Sequence, residues 1–162
     1  MSSTTGKNIK LTLFGESHGD MIGITIDGLK PGIELDMDYI NNEIEKRKAY
    51  GAISTPRHES DQVEIVSGYF NGYTTGTPLT IIVRNENKKS SDYKPNILRP
   101  SHADYTAFLK YNGYQDYRGG GHFSGRVTVG IVAVGAICKQ ILEKKGILIG
   151  SHIKQIHNIV DV

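Results

Sequence analysis

Histidine stands beside serine at two places in this chain: in Gly15-Glu16-Ser17-His18-Gly19 and in Arg99-Pro100-Ser101-His102-Ala103-Asp104. A third segment, Asp116-Tyr117-Arg118-Gly119-Gly120-Gly121-His122-Phe123-Ser124-Gly125-Arg126, follows the second. Histidine gives and takes a proton near neutral pH. Glycine-rich backbone next to arginine suits an anion, because backbone N–H groups and guanidinium forks both aim donors at oxygens. The combination points to proton transfer on a small, negatively charged molecule.

Competing readings remain for each segment. Gly15-x-Ser17-x-Gly19 has the form of a serine-hydrolase nucleophile elbow, with Ser17 as nucleophile. That elbow needs a strand before it and a helix after it. Here a second strand pattern follows, and the chain is short for such a fold. The glycine triplet could be a plain connector. Its place before a helix start, between Arg118 and Arg126, favours an anion site. A non-catalytic phosphate-ligand-binding module therefore stands beside the hydrolase as an alternative to catalysis by the histidines. No Walker-type or dinucleotide fingerprint occurs. The six histidines show no metal-ligand spacing, so no metal is expected. His152 and His157 read as surface residues.

The elements that would carry these residues are legible from periodicity. Residues 9–14 and 22–26 alternate apolar and polar, which predicts two strands around the Ser17-His18 turn. Met37, Ile40 and Ile44 share a helix face, with Asp36 as cap and Lys46, Arg47 and Lys48 at the C-terminal end. Residues 49–61 read as an exposed, mobile loop carrying Arg57 and His58. Residues 63–70 and 79–84 read as strands, and 85–100 as a long polar loop of the kind that is often functional. Ser101-x-x-Asp104 has capping-box form and predicts a helix with His102 in its first turn, Tyr105, Phe108 and Leu109 continuing one face. Ser124 caps a long helix to about Lys145, with Val127, Ile131, Val134, Cys138, Ile141 and Leu142 on one side. Gly130 and Gly135 leave room on it for close packing. Residues 147–159 read as extended.

Composition sets outer bounds. The 162 residues suffice for one domain with a real core. A net charge of +2 does not call for nucleic acid. No apolar run approaches the ~20 residues of a membrane helix, so no membrane is expected. The single cysteine, Cys138, sits among apolar neighbours and reads as a buried, inert thiol in a reducing, cytoplasmic compartment.

In this order the segments resemble the chorismate synthase family. Residues 15–28 look like its N-terminal signature, and Gly121-x-x-Ser124-Gly125-Arg126-x-Thr128, running into Val132 and Gly135-Ala136, like its central one. Ser67-Gly68-Tyr69-Phe70-x-Gly72, Thr75-Gly76-Thr77-Pro78 and Arg99-Pro100-Ser101-His102-Ala103-Asp104-Tyr105 also match in order. The resemblance implies an α+β fold: a β-α-β sandwich with helices between two largely antiparallel sheets, in two related halves, assembled as a homotetramer. It implies a lyase of the shikimate pathway, serving aromatic amino acid biosynthesis. The reaction is the 1,4-anti elimination of phosphate from 5-enolpyruvylshikimate 3-phosphate, giving chorismate. Reduced FMN is required without net redox change, and NADPH is the reductant in some members. By the same resemblance His18 protonates the departing phosphate and His102 assists flavin protonation. Ser17, Arg47, Arg99 and Arg126 match substrate positions. His122, Phe123 and Ser124, with Arg118, fall in the flavin segment, and Arg47 also matches an NADP position. Members often carry arginine at the place of His122, a small residue at the place of Phe123, and a second basic residue where Gly51-Ala52-Ile53 stands. They also run further, through a C-terminal Arg-His-Asp-Pro signature. Residues 1–162 are accordingly expected to form a single domain truncated at its C-terminus and inactive alone.

Overall fold

The computed structural model describes residues 3–48, 59–86, 88 and 90–161. Residues 49–58 of the expected exposed loop, with Arg57, His58 and Gly51-Ala52-Ile53, lie outside the described residues; the end of that stretch is not exposed, since Asp61 is buried in ion pairs with Arg47 and Arg126. The chain runs through strands β1 (Thr4–Thr5), β2 (Lys10–Gly15) and β3 (Met21–Asp27), then helix α1 (Met37–Glu45). Next come β4 (Val63–Ser67), β5 (Tyr69–Phe70), β6 (Tyr73–Thr74) and β7 (Leu79–Arg84). Helices α2 (Asp104–Lys110) and α3 (Val129–Glu143) follow, then a small hairpin, β8 (Gln155–Ile156) with β9 (Ile159–Val160).

Five strands form one antiparallel sheet in the order β1-β2-β3-β7-β4. The period-two pattern sorts its faces. In register, Ile22 opposes Val83, Ile24 opposes Ile81, and Ile26 opposes Leu79. All six side chains are buried. The other face carries Thr25 and Thr80, whose hydroxyls share a hydrogen bond of 3.0 Å. Phe14 folds over Gly23 there, where a Cβ would fall 2.2 Å from the ring. β4 bulges between Ile65 and Ser67, and the chain turns at Gly68 into the β5–β6 hairpin, so the expected single strand over 63–70 is two.

Helices α1 and α3 pack side by side, and α3 crosses β3 and β7. The Asp36 carboxylate caps α1 by accepting from the Tyr39 N–H at 3.0 Å. Gln140 on α3 joins the pair: its Oε1 accepts from the Asp36 N–H at 2.9 Å and its Nε2 donates to the Asp36 carbonyl at 3.0 Å. α3 arrives as expected, capped at Ser124 through one 3₁₀ turn, Gly125–Thr128. Its inward face differs from the expected stripe. Val129, Ala133, Ala136, Ile137 and Gln140 are buried with Val134, whereas Ile131 is 53% exposed. Gly130 meets Leu13 and Ile24, but Gly135 faces open space. Two glycines at different phases of the helix cannot both face the sheet, and the sheet selects Gly130. Together with the preceding 3₁₀ turns, α3 is long and apolar enough by composition to cross a membrane. Here it is a core helix of 15 residues with its inner side on the sheet.

The capping box at Ser101 does not form. α2 begins at Asp104 with no side-chain cap, and Ser101 has φ +63°. The Asp104 carboxylate instead reaches back to Arg99, which outcompetes a neutral N–H as partner. His102 therefore precedes the helix. Tyr105, Phe108 and Leu109, expected to continue one helix face, are 59%, 46% and 57% exposed. Of residues 147–159, expected as one extended stretch, 147–154 form no strand, and the chain then pairs as the short β8–β9 hairpin, turning at His157 with φ +54°.

Candidate active site

The site assembles where β2, β3 and β7 end together. β2 stops at Gly15, residues 16–20 turn, and β3 starts at Met21, which pairs with Arg84 at the end of β7. That register sets the residue after β7, Asn85, beside the turn. The turn buries Ser17 fully and leaves His18 only 4% exposed. A nucleophile elbow would need a helix after Ser17 and an open hydroxyl; β3 follows instead and Ser17 is buried, which removes the hydrolase alternative.

The glycine segment lies directly on this turn. The Ser17 N–H donates to the Gly121 carbonyl at 3.1 Å. Gly119, Gly120 and Gly121 have φ of +61°, +84° and +55°, the left-handed region where side chains are strained. At Gly119 a Cβ would also fall 2.5 Å from His18 Cδ2 and 2.8 Å from Ser17 Oγ. At Gly121 it would meet the Asp116 carbonyl oxygen at 2.2 Å. The triplet is therefore required for close approach and is not a flexible connector.

His18 is held from the long loop after β7. Its Nδ1 lies 3.1 Å from Ser90 Oγ, and its ring meets Tyr93 edge-on at 5.1 Å. The Arg99 guanidinium lies over the Tyr93 ring, 5.1 Å from its centroid. Arg99 is paired with Asp104 through Nε and Nη2 at 2.8 and 2.9 Å, and its backbone N–H adds a third bond. These bonds hold the Asp104 carboxyl below the usual carboxylate range and raise the guanidinium. Arg118 binds Asp116 likewise at 2.8 and 2.7 Å. Burial pushes the Asp116 carboxyl up, but the Arg118 hydrogen bonds outweigh it and the carboxyl lies low.

Arg47 and Arg126 share one acid. Arg47 Nη1 donates to Asp61 at 2.7 Å, and Arg126 Nη1 donates to its other oxygen. Arg126 is 8% exposed and Asp61 4%. Arg126 Nε donates to Asn85 Oδ1 at 3.0 Å, and Ser124 Oγ accepts from the Arg126 N–H at 3.3 Å. All four predicted substrate or cofactor arginines thus come already paired with carboxylates. His122 is engaged at both nitrogens: Nδ1 donates to the Gly15 carbonyl at 2.8 Å, and Nε2 lies 2.9 Å from Ser3 Oγ. His102 is exposed, with its N–H on the Arg99 carbonyl at 3.3 Å, and lines neither cavity described next.

Two adjoining cavities open beside the turn. One, of about 280 Å³, is lined by Tyr93, Lys94, Arg99, Asp104, Asp116 and Gly120 among others. The second, of about 420 Å³, has aromatic walls: Phe14, Tyr111, Tyr114 and Phe123, with His122 and Gly15. Gln115 borders both, and its Oε1 is buried without a hydrogen-bond partner among the described residues. Buried polar atoms rarely stay unpaired, so this oxygen marks a place for a donor from a bound molecule. Sequence reasoning singled out none of Asn85, Asp61, Ser90, Tyr93, Gln115 and Asp116 as site residues. For Asn85, Asp61, Ser90 and Tyr93 the available signal was position after a buried strand or inside a polar loop, and for Gln115 and Asp116 it was their place at the head of the glycine-arginine segment.

A family model described as chorismate synthase matches residues 9–162. The chain belongs to the chorismate synthase family. It is 53% identical over 153 residues to the chorismate synthase of Thermococcus gammatolerans, covering 93% of this chain and 43% of that protein. It is 48% identical over 156 residues to that of Thermococcus kodakarensis, covering 95% and 44%. A crystal structure of chorismate synthase superimposes with a TM-score of 0.61 at 29% identity, covering 88% of this chain and 36% of the other. The α+β fold is therefore that of chorismate synthase. The chain spans less than half the length of these curated relatives.

Proposed function

We propose that this chain carries the proton-donor and anion-binding half of a chorismate synthase. The reaction is the elimination of phosphate and a ring proton from 5-enolpyruvylshikimate 3-phosphate. The observation that carries the reading is the Ser17-His18 turn, buried under Gly119–Gly121, with His18 oriented by Ser90 and set edge-on against Tyr93, which itself lines the cavity bearing Arg99. A histidine so held delivers a proton to one place, which is what a departing phosphate oxygen requires. Ser17, Arg47, Arg99 and Arg126 are its substrate-side partners. Because each arginine is paired with a carboxylate, the site binds the anion by exchanging or sharing an existing partner, and the pairs keep the side chains in place beforehand.

The residues present fit a flavin. The aromatic cavity offers ring faces, and Gln115 Oε1 offers an acceptor of the kind a flavin ring N–H needs. Phe123, Ser124, His122 and Arg118 would hold FMN; His122 would do so by shaping the wall, since its nitrogens bind Gly15 and Ser3. When bound, reduced FMN supplies electron density to the eliminating system. His102 is exposed before α2 and lines neither cavity; its proposed role, assisting protonation of the reduced flavin, would be exercised in the longer enzyme. NADPH is the reductant proposed for regenerating reduced FMN, with Arg47 as its contact. A homotetramer is the assembly and the cytoplasm the compartment that go with this reading, with residues 1–162 as one domain of the longer enzyme.

The test is an anaerobic assay with reduced FMN. The protein is assayed alone and fused to the part of the Thermococcus gammatolerans relative that the match leaves uncovered. Turnover by the fusion, with none by the unfused chain, is the expected result. A fusion that binds substrate and reduced FMN without turnover would leave only phosphate-ligand binding.

A further inference from the structure

Asn85, the first residue after β7, is 6% exposed and uses its whole amide. Nδ2 donates to the carbonyls of Glu16 at 3.0 Å and Gly19 at 2.9 Å, the two ends of the turn that carries Ser17 and His18. Its backbone N–H donates to the Asp20 carbonyl at 3.1 Å. Oδ1 accepts from Arg126 Nε at 3.0 Å. The orientation of the amide is not ambiguous: carbonyls only accept and an arginine Nε only donates. Asn85 is therefore a three-way link. On one side is the histidine turn; on the other is the buried Arg126–Asp61–Arg47 cluster.

We propose that Asn85 is a positioning residue, which fixes the spacing between His18 and Arg126. This rests on the assignment of His18 as proton donor and Arg126 as a substrate arginine. The chemistry demands such a link. A proton donor and the cation that fixes the phosphate end must keep one separation, yet His18 sits on a turn and Arg126 on the 3₁₀ turn before α3. Asparagine is the side chain of this size that supplies two donors and one acceptor from a single plane. Aspartate of the same shape keeps the acceptor for Arg126 and loses both donors to the turn. Alanine loses all three.

That difference gives the test. If Asn85 only satisfies Arg126, Asn85→Asp behaves as the parent and Asn85→Ala does not. If it positions the turn, both fail. In the unfused protein, amide exchange of residues 16–20 is expected to become roughly tenfold faster in both variants, with the buried strand amides of Ile24 and Ile81 unchanged. The His18 ring resonances, identified by their loss in His18→Gln, are expected to shift. In the fused enzyme, both variants are expected to lose roughly 100-fold in kcat while the substrate KM moves by less than about threefold. Parent-like exchange and His18 resonances in Asn85→Asp would overturn the proposal. So would global unfolding of both variants, which would make Asn85 a determinant of the fold. An inactive parent fusion would sink the functional reading, while the exchange and resonance measurements would still decide the role of Asn85.

Discussion

In the proposed reading the chemistry depends on His18, and its surroundings are built from single atoms: Ser90 Oγ on Nδ1, the Tyr93 edge, and the missing Cβ of Gly119. His18→Ala in the fused enzyme is expected to lower turnover ~100- to 10,000-fold, the usual value of general acid catalysis, and also to lower the melting temperature, because a buried ring with a hydrogen bond and an aromatic contact is removed. His102→Ala is expected to lower turnover with no change in melting temperature at all, because the side chain is exposed. The glycines separate function from stability. Gly119→Ala directs a methyl at the His18 ring and the Ser17 hydroxyl, whereas Gly121→Ala directs one at the Asp116 backbone, which yields less readily than a side chain. Urea titration should show the larger loss for Gly121→Ala: Gly119 has left-handed helical angles, which cost a side chain ~1–2 kcal/mol, whereas Gly121, with φ +55° and ψ −129°, lies outside that region as well as against backbone. Acid sensitivity also lives at this scale. The Asp104 carboxyl is held low by Arg99, so the folded state binds fewer protons than the unfolded chain in the acid range. The resulting stability is fully present above the ordinary carboxylate value, about 4, and is lost as pH falls through the lowered one. Melting curves of Asp104→Asn between neutral and strongly acid pH should show a flatter dependence than the parent.

At the scale of elements, α3 joins core and site. Its inner face packs Ala133, Ala136 and Ile137 on the isoleucines of β3 and β7, and the turn before it delivers Arg126. Small residues on that face let the helix lie close, and Gly130 is the closest point, with a Cβ position 3.0 Å from Leu13 Cδ1 and 3.3 Å from Ile24 Cβ. Gly135 has nothing within 4 Å. Gly135→Ala is expected to stabilise the protein by about 0.5–1 kcal/mol through helix propensity alone. Gly130→Ala should gain distinctly less, because Leu13 and Ile24 must yield. Equal urea midpoints for the two variants would show that α3 does not rest on the sheet at Gly130.

At the scale of the whole molecule, one sheet face is covered by α1 and α3, and much apolar surface is not covered. Ile131 on the outer side of α3, Leu148 and Ile149 after it, and Ile153, Ile156 and Ile159 around the final hairpin are all exposed. Apolar exposure on that scale favours association in water. A protein of these 162 residues alone is expected to elute from size exclusion above its 17.8 kDa mass in a concentration-dependent way, and to give no chorismate in the anaerobic assay. A well-behaved monomer with robust turnover would contradict both expectations.

The sequence by itself determined the strands around the Ser17-His18 turn, helix α1 with its Asp36 cap, the helix opening at Ser124, and the family. Those features are local. Alternation, a cap and a glycine triplet act within a few residues, so spacing reports them. The Cys138 thiol, expected from its apolar neighbours to be buried, is only half-buried, and that partial burial still pushes its proton affinity up. The tertiary structure decided what depends on distant partners. Pairing of β3 with β7 brought Asn85 to the turn across 66 to 69 positions of sequence separation. Ion pairing decided the start of α2, because Arg99 offers Asp104 stronger bonds than Ser101 does. The sheet, with one flat face to fill, chose which side of α3 turned inward. Folding also neutralised the arginines: a sequence shows their charge, but only the folded chain sets Asp61 between Arg47 and Arg126.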